Sequence, residues 1–277
     1  MHIVVCIKQV PDSAQIRIHP VTNTIMRQGV PAIINPYDLF SLEEALRIRD
    51  QTGARVTVLC MGPPMAEQAL RKALSLGATD AVLLTDRKFA GSDTLATSFA
   101  LVSAINKLSA EEPVDMVFCG KQTVDGDTAQ VGPGISTRLG LQQLTYIEKV
   151  ESVDLEKREI TVHRRSEGGV QVLKTSLPCM ITMLENTNTM RFGTMDDMFR
   201  AARYKLNLWS KDDTNCDETK VGLKGSPTVV SKVFVPKPRA EKSKFIEGDT
   251  PEAQAQAAID TIFGAQPKLA EDLMSAR

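Results

Sequence analysis

The sequence predicts an α/β fold: an open, mostly parallel sheet with helices on both faces, extended by an antiparallel addition. Three observations predict it. Short, β-branched apolar runs recur at 2–7 (HIVVCI), 55–61 (RVTVLCM), 79–84 (TDAVLL) and 114–119 (VDMVFC), and continuous apolar strands of this kind belong to sheets covered on both faces. Stretches of helical period lie between them, so strands and helices alternate as in a parallel sheet. From about residue 145 the pattern changes to alternating charged and β-branched residues, which marks antiparallel, solvent-facing strands.

Taken in order, the first run leads into a long connection, KQVPDSAQIRIHPVTNTIMRQGVPAIINPYD, with two Pro-bounded stretches that read as a small excursion. LFSLEEALRIRDQTG then begins a helix whose Leu39, Leu42 and Leu46, with Ala45, share one face. After the second run, PPMAEQALRKALSLG places Met65, Ala69, Ala73 and Leu76 at helical spacing. Pro64 suits the first turn and Gly77 the stop. SDTLATSFALVSAINKL supplies the next helix, opened by Ser92 or Asp93 and carrying Leu95, Phe99, Val102 and Ile105 on its apolar side. The run at 114–119 enters GKQTVDGDTAQVGPGISTRLG, where DTAQ offers a capping residue before another helix. Beyond 145, GG at 168–169 forms a turn, MDDMFRAARYKL makes a short helix, and a last helix spans about 251–263. The poorly periodic tail from about 206 has little core of its own and needs a partner or a flexible role.

The chain has 277 residues, 33 Lys+Arg against 34 Asp+Glu, a net charge of -1 and a pI of about 6.3. That length suits one large α/β domain, or a medium domain with an appendage. The balanced charge, with no basic stripe interleaved with aromatics, argues against a nucleic-acid partner, and membrane insertion is not expected. Cys6, Cys60, Cys119, Cys179 and Cys216 show no metal or disulfide spacing and mostly read as small buried hydrophobes. The chain enters a strand pattern at once, without a secretory signal, so a cytosolic compartment is the expectation. Three histidines far apart, His2, His19 and His163, make metal or histidine acid–base chemistry a poor reading.

Neither GxGxxG after the first strand nor GxxxxGK[ST] occurs, which removes the usual dinucleotide fingerprint and the P-loop. Two helix starts with anion-holding potential stand instead at 92–94 and 127–130, because free N–H groups and the positive end of the dipole converge there. Ligands in such sheets lie at the carboxyl ends of strands, which makes 119–132 the candidate site. At this level Asp93 and Asp127 read equally well as plain N-caps, Lys8 and Lys121 as surface residues, and Tyr37, Phe40 and Phe99 as core.

Several segments carry a more specific signal: VVCIKQVPD at 4–12, NPYDLFSLEEAL at 35–46, MGPPMAEQALRKALSLGATDAVLL at 61–84 and CGKQTVDGDTAQVGP at 119–133. With LPCMITM and RFGTMDDMFRAARYK further on, they resemble the beta subunit of electron transfer flavoproteins over essentially the whole chain. The resemblance implies an adenine-nucleotide alpha hydrolase-like sheet over 1–205. It also implies an arm over 206–277 that packs on an alpha subunit and its mobile flavin domain. FAGSDTLATS at 89–98, and DGDTAQVGP in place of an acidic run, resemble the electron-bifurcating members, which hold a second FAD where simple members hold AMP.

On that resemblance Asp93, Thr94 and Thr97 lie near the pyrophosphate and ribityl part of the cofactor. Gly120, Lys121, Gln122, Val124, Asp125, Gly126, Asp127, Thr128, Ala129, Gln130 and Gly132 frame the nucleotide end, and Cys6, Ile7, Lys8, Asn35, Asp38 and Cys60 line the remainder. The implied activity is oxidation of NADH, with one electron going to ferredoxin or flavodoxin. The other goes through the alpha-subunit FAD to an acyl-CoA dehydrogenase or similar partner. No protein nucleophile or acid–base pair is implied, since the flavin carries the redox step. The alternatives are a non-bifurcating subunit holding AMP and a non-redox adenine-nucleotide module.

Overall fold

The computed structural model describes residues 1–12, 17–18, 25–26, 31–232, 243 and 245–275. Much of the connection at 13–30, with His19, lies outside the described residues. The elements are β1 (His2–Ile7), β2 (Gln9–Pro11), β3 (Arg17–Ile18), β4 (Ile25–Met26), β5 (Ala32–Ile34), α1 (Pro36–Thr52), β6 (Arg55–Met61), α2 (Glu67–Ser75) and β7 (Asp80–Leu84). They continue with α3 (Thr94–Glu111), β8 (Val114–Gly120), α4 (Val131–Leu139), β9 (Gln142–Asp154), β10 (Glu159–Ser166), β11 (Gly169–Ser176), β12 (Cys179–Met183), α5 (Met195–Arg203), β13 (Asn207–Trp209), α6 (Pro251–Ala265) and α7 (Pro267–Ser275).

Nine strands form one sheet in the order β11-β10-β9-β12-β8-β1-β6-β7-β13. All neighbours from β12 to β13 run parallel, as the apolar runs predict. Side chains alternate across the sheet. Ile3, Val5, Val58, Cys60 and Phe118 pack with Leu42 and Leu46 of α1 and Leu70 and Leu74 of α2. Val4, Cys6, Leu59, Val117 and Cys119 pack on the other face with Leu101, Ile105 and Leu108 of α3 and Ile135 of α4. Both faces are therefore covered, and all five cysteines are buried and free.

The helix ends follow local chemistry. Pro36 stands in the first turn of α1, and Gly53, at φ +71°, closes it by donating its N–H to Arg49 C=O at 2.7 Å. Asp93 caps α3, accepting the Ala96 N–H at 3.0 Å. α3 and α4 approach closely: a Cβ on Gly134 would sit 2.8 Å from Ser98 Oγ.

Some expectations change. Met65 is 54% exposed because Pro64–Ala66 form a 3₁₀ turn ahead of α2, where the 3.6-residue period does not hold. Leu95, in the first turn of α3, is 47% exposed, so the apolar stripe begins only at Phe99. The addition after residue 145 is not wholly antiparallel: Gln142–Ile147 of β9 pair parallel with β12, and only the later part of β9 joins β10 and β11 in a meander. Ser166 faces Gly169 across the tight turn, where Gly168 takes φ +82°.

Two compact units are present, 1–233 and 234–277. Residues just past 205 belong to the first, since β13 adds an edge strand beside β7. In the second, Thr250 caps α6 through the Ala253 N–H and Pro251 occupies its first turn. Ile259, Ile262, Leu269 and Leu273 on α6 and α7 are exposed.

Candidate functional site

Chain direction across the sheet fixes the site. From β1 the chain passes through α1 to β6 on one side, whereas β8, reached through α3, lies on β1's other side. The carboxyl ends of β1 and β8 are thus a switch point, the usual ligand crevice of open parallel sheets. Cys6 of β1 and Cys119 of β8 stand opposite one another there.

The start of α1 closes the crevice from below. Asn35 donates its backbone N–H to Lys8 C=O at 2.9 Å, which sets α1 against the end of β1. Asp38, only 4% exposed, accepts the Lys8 N–H at 2.7 Å with one carboxylate oxygen and the Gly120 N–H at 3.2 Å with the other. One side chain thereby satisfies main-chain donors at the ends of both strands. Burial pushes the Asp38 carboxyl up to about 7, against the opposing hydrogen bonds from Asn35, Lys8 and Gly120 and the Lys8 charge. Gly120 has no room for a side chain: a Cβ would run into the Asp38 carboxylate and lie 2.7 Å from the Tyr37 carbonyl carbon.

The loop from 121 to 130 forms the rim. Asn35 donates from Nδ2 to Gln122 C=O at 2.9 Å and accepts the Val124 N–H at Oδ1 at 3.1 Å. Lys8 Nζ pairs with Asp125 Oδ1 at 2.8 Å. At Asp125 partial burial opposes ionisation, but the bond and charge of Lys8 outweigh it and hold the carboxyl below its usual range. Lys121 donates its N–H to Met183 C=O at 2.9 Å, and its ammonium lies 5.8 and 5.5 Å from the ring centres of Tyr37 and Tyr146. Asp127 and Ala129 adopt φ +53° and +56°, and Gln122 donates from its amide to the Asp127 carboxylate. Gly126, Asp127, Thr128 and Gln130 are exposed on this rim.

Asp127 is therefore not the N-cap that DTAQ offered. α4 begins at Val131, and Gln130 before it makes no side-chain cap. The left-handed residues turn the chain too sharply for Asp127 to reach the first helical amides. Gly132 is buried against β12, where a Cβ would lie 2.8 Å from Thr182 Cγ2.

The second helix start joins the first. Thr94 Oγ1 donates to Gln130 Oε1 at 2.8 Å, so the mouths of α3 and α4 are one mouth. Thr97 follows half-buried in the next turn of α3. Asp93 is engaged inward: one oxygen caps α3, and the other accepts the Thr228 N–H at 3.1 Å and its hydroxyl at 2.8 Å. Its own N–H donates to Ser226 Oγ at 2.8 Å. Burial works against this carboxyl's ionisation, but the donors from Ala96 and Thr228 prevail and hold it low.

The other expected residues stand behind the rim. Cys60 is fully buried on the α1 and α2 face, and burial pushes its thiol up to about 12. Cys6 and Ile7 are 7% and 5% exposed. A hydrogen bond with Cys6, then burial, drives the Cys119 thiol well up. Nothing local marks Ser226 and Thr228, whose contacts with Asp93 span more than 100 residues, or Tyr146, which meets Lys121 only once β9 lies beside β12. Among the described residues no group of three or more His, Cys, Asp or Glu could hold a metal ion, and no helix is long and apolar enough to cross a membrane.

Comparisons with known proteins agree with this geometry. A family profile described as electron transfer flavoprotein domain matches residues 22–210. "Protein FixA" of Azotobacter vinelandii is 63% identical over 276 residues, covering 99% of this chain and 98% of the relative. "Protein FixA" of Bradyrhizobium diazoefficiens is 64% identical over 275 residues, with 99% and 95% covered. "Electron transfer flavoprotein subunit beta" of Clostridium acetobutylicum is 48% identical over 232 residues, with 84% and 87% covered. The chain thus belongs to the electron transfer flavoprotein family, as one of its beta-like electron-transfer subunits.

Proposed function

We propose that this chain is the beta subunit of a heterodimer and that its carboxyl-edge crevice holds a second FAD, in addition to the FAD of the alpha partner. The observation that carries the reading is the Thr94–Gln130 contact, which merges the start of α3 with the 119–132 loop into one polar mouth. A dinucleotide is longer than a mononucleotide, and a mouth that joins the 119–132 loop to the α3 start gives the added length a polar lining.

The residues present fit such a group. The uncapped amino end of α4 offers main-chain donors to a phosphate, and Thr94, Thr97 and Thr128 add hydroxyls. Gln122, Gln130 and the 124–127 main chain would hold the adenosine end, with Gly120 and Gly132 keeping the floor thin. When bound, FAD supplies the redox chemistry: acceptance of hydride from NADH, and delivery of electrons singly to ferredoxin or flavodoxin and, through the partner's FAD, to an acyl-CoA dehydrogenase or related enzyme. The chain's own part is to bind, orient and exclude water. The exposed apolar residues of α6 and α7 support an arm over the C-terminal segment that packs on the alpha subunit.

One observation favours the simpler subunit that holds AMP. Asp93, expected at the pyrophosphate, already has both carboxylate oxygens engaged by Ala96 and Thr228. Acid extraction of the copurified heterodimer, with FAD and AMP quantified per complex, decides between them. Two FAD and no AMP is the expected result; one FAD with one AMP would remove the NADH-oxidising role.

A further inference from the structure

The resemblance makes Asn35 and Asp38 cofactor contacts, but their polar atoms point elsewhere. Asn35 is fully buried, and both ends of its carboxamide are bonded to the main chain of the 122–124 loop. Asp38 is nearly as buried, and its two oxygens take the N–H groups at the ends of β1 and β8. Every polar atom of these two buried side chains already has a partner within the protein, so their bonding supports the site from inside instead of facing a ligand.

We propose that Asn35 and Asp38 are positioning residues: they form a clasp between α1, the end of β1 and the 120–125 loop that holds this loop in its ligand-receiving shape. The proposal rests on the nucleotide-binding reading above and assigns that site its internal support. The loop's other tie, Lys8 to Asp125, is half-exposed and correspondingly weak, whereas the clasp is out of water, where hydrogen bonds to charged groups are stronger.

Geometry also gives the clasp a charge requirement. Ionised Asp38 presents charged acceptors to both N–H groups; protonation leaves one of them a weaker, uncharged hydroxyl acceptor, and Asp38→Asn turns that position into a donor facing a donor. The groups facing Asp38 are Lys8 at the end of β1, the Cys60 thiol of β6 and the Cys119 thiol of β8, with Lys121 beyond Tyr37 and Asp125 beyond Lys8. Burial pushes the Asp38 carboxyl up to about 7, so the clasp weakens as pH falls through neutrality. Stability moves the other way. A raised carboxyl pKa favours the folded chain below its ordinary 3.8 and loses that contribution as pH rises through about 7. Loss of affinity on acidification is thus separable from unfolding.

The test uses the heterodimer freed of nucleotide, with AMP and FAD as probes in titration calorimetry from pH 6 to 8, beside hydrogen exchange at residues 120–127 without nucleotide. Asn35→Ala should speed exchange at the Val124 amide and weaken the tighter probe, each about 10-fold. The wild type should lose affinity toward pH 6, whereas Asp38→Asn, nearly isosteric, should be weak and flat with pH. Where Asn35→Ala does not fold, Asp38→Asn carries the test: it should also speed exchange at the Gly120 amide, and unchanged exchange there overturns the proposal. Unchanged exchange and affinity in Asn35→Ala, or a wild-type profile as flat as that of Asp38→Asn, overturns the proposal. A wild type that binds neither AMP nor FAD overturns the nucleotide reading instead, and the exchange rates alone then decide the clasp.

Discussion

Lys8 and Asp125 pair at 2.8 Å across the mouth of the crevice, with the lysine side chain 45% exposed and the aspartate 14%. The pair ties the end of β1 to the rim loop, but water at the lysine limits its worth to about 0.5–1 kcal/mol. Lys8→Met should lower stability by about that amount in urea denaturation, and should weaken nucleotide retention a few-fold. The pH sign follows from the depressed Asp125 carboxyl: its contribution is full above the ordinary 3.8 and fades as pH falls through its lower folded value. The variant should therefore lose part of the wild type's acid sensitivity below pH 4. Identical acid limbs would show that the pair does not couple to folding.

Gly120 tests the floor. A methyl group there would collide with the Asp38 carboxylate and approach Tyr37 to 2.7 Å, and overpacking of this kind costs about 1–3 kcal/mol. Gly120→Ala should lower the melting temperature by several degrees, while Gly126→Ala, whose new Cβ would lie 3.3 Å from only the Thr123 hydroxyl, should stay close to wild type. Equal melting temperatures for the two variants would contradict the tight approach of α1 to β8.

What could be read from the sequence divides along the range of the interactions. β1 and β6 matched their apolar runs residue for residue, since strands buried on both faces need no more than continuous apolarity. The Asp93 cap was equally local. Met65 and Leu95 are exposed because the helical period does not govern a 3₁₀ turn or the first turn at a helix mouth. Asp127 failed as a cap because left-handed backbone at a non-glycine residue leaves no compositional mark. The inward engagement of Asn35, Asp38 and Asp93 depends on partners 30 to 135 residues away, and no local pattern encodes it.

Asp93 separates capping from cofactor contact. Asp93→Ala removes the α3 cap and the acceptor for Thr228, and should destabilise the chain by about 1–2 kcal/mol. Asp93→Asn keeps a cap oxygen but puts an amide donor opposite the Thr228 N–H, so it should recover most of the stability while still speeding exchange at 226–228. If Asp93→Asn restores both stability and protection in that segment, the second carboxylate oxygen holds nothing there.

Asp127 bears on the rim itself. Its carboxylate accepts from the Gln122 amide, and its backbone sits at φ +53°, a conformation that favours glycine over alanine by about 1 kcal/mol. Asp127→Gly removes the carboxylate and keeps the turn; Asp127→Ala removes the carboxylate and strains the turn. Both should reduce nucleotide content per heterodimer more than they lower the melting temperature, because the residue is exposed and outside the core. If the turn is what matters, the loss in Asp127→Gly should be the smaller of the two; equal losses assign the effect to the carboxylate and its bond to Gln122. Unchanged nucleotide content in folded Asp127→Ala would remove this residue from the site.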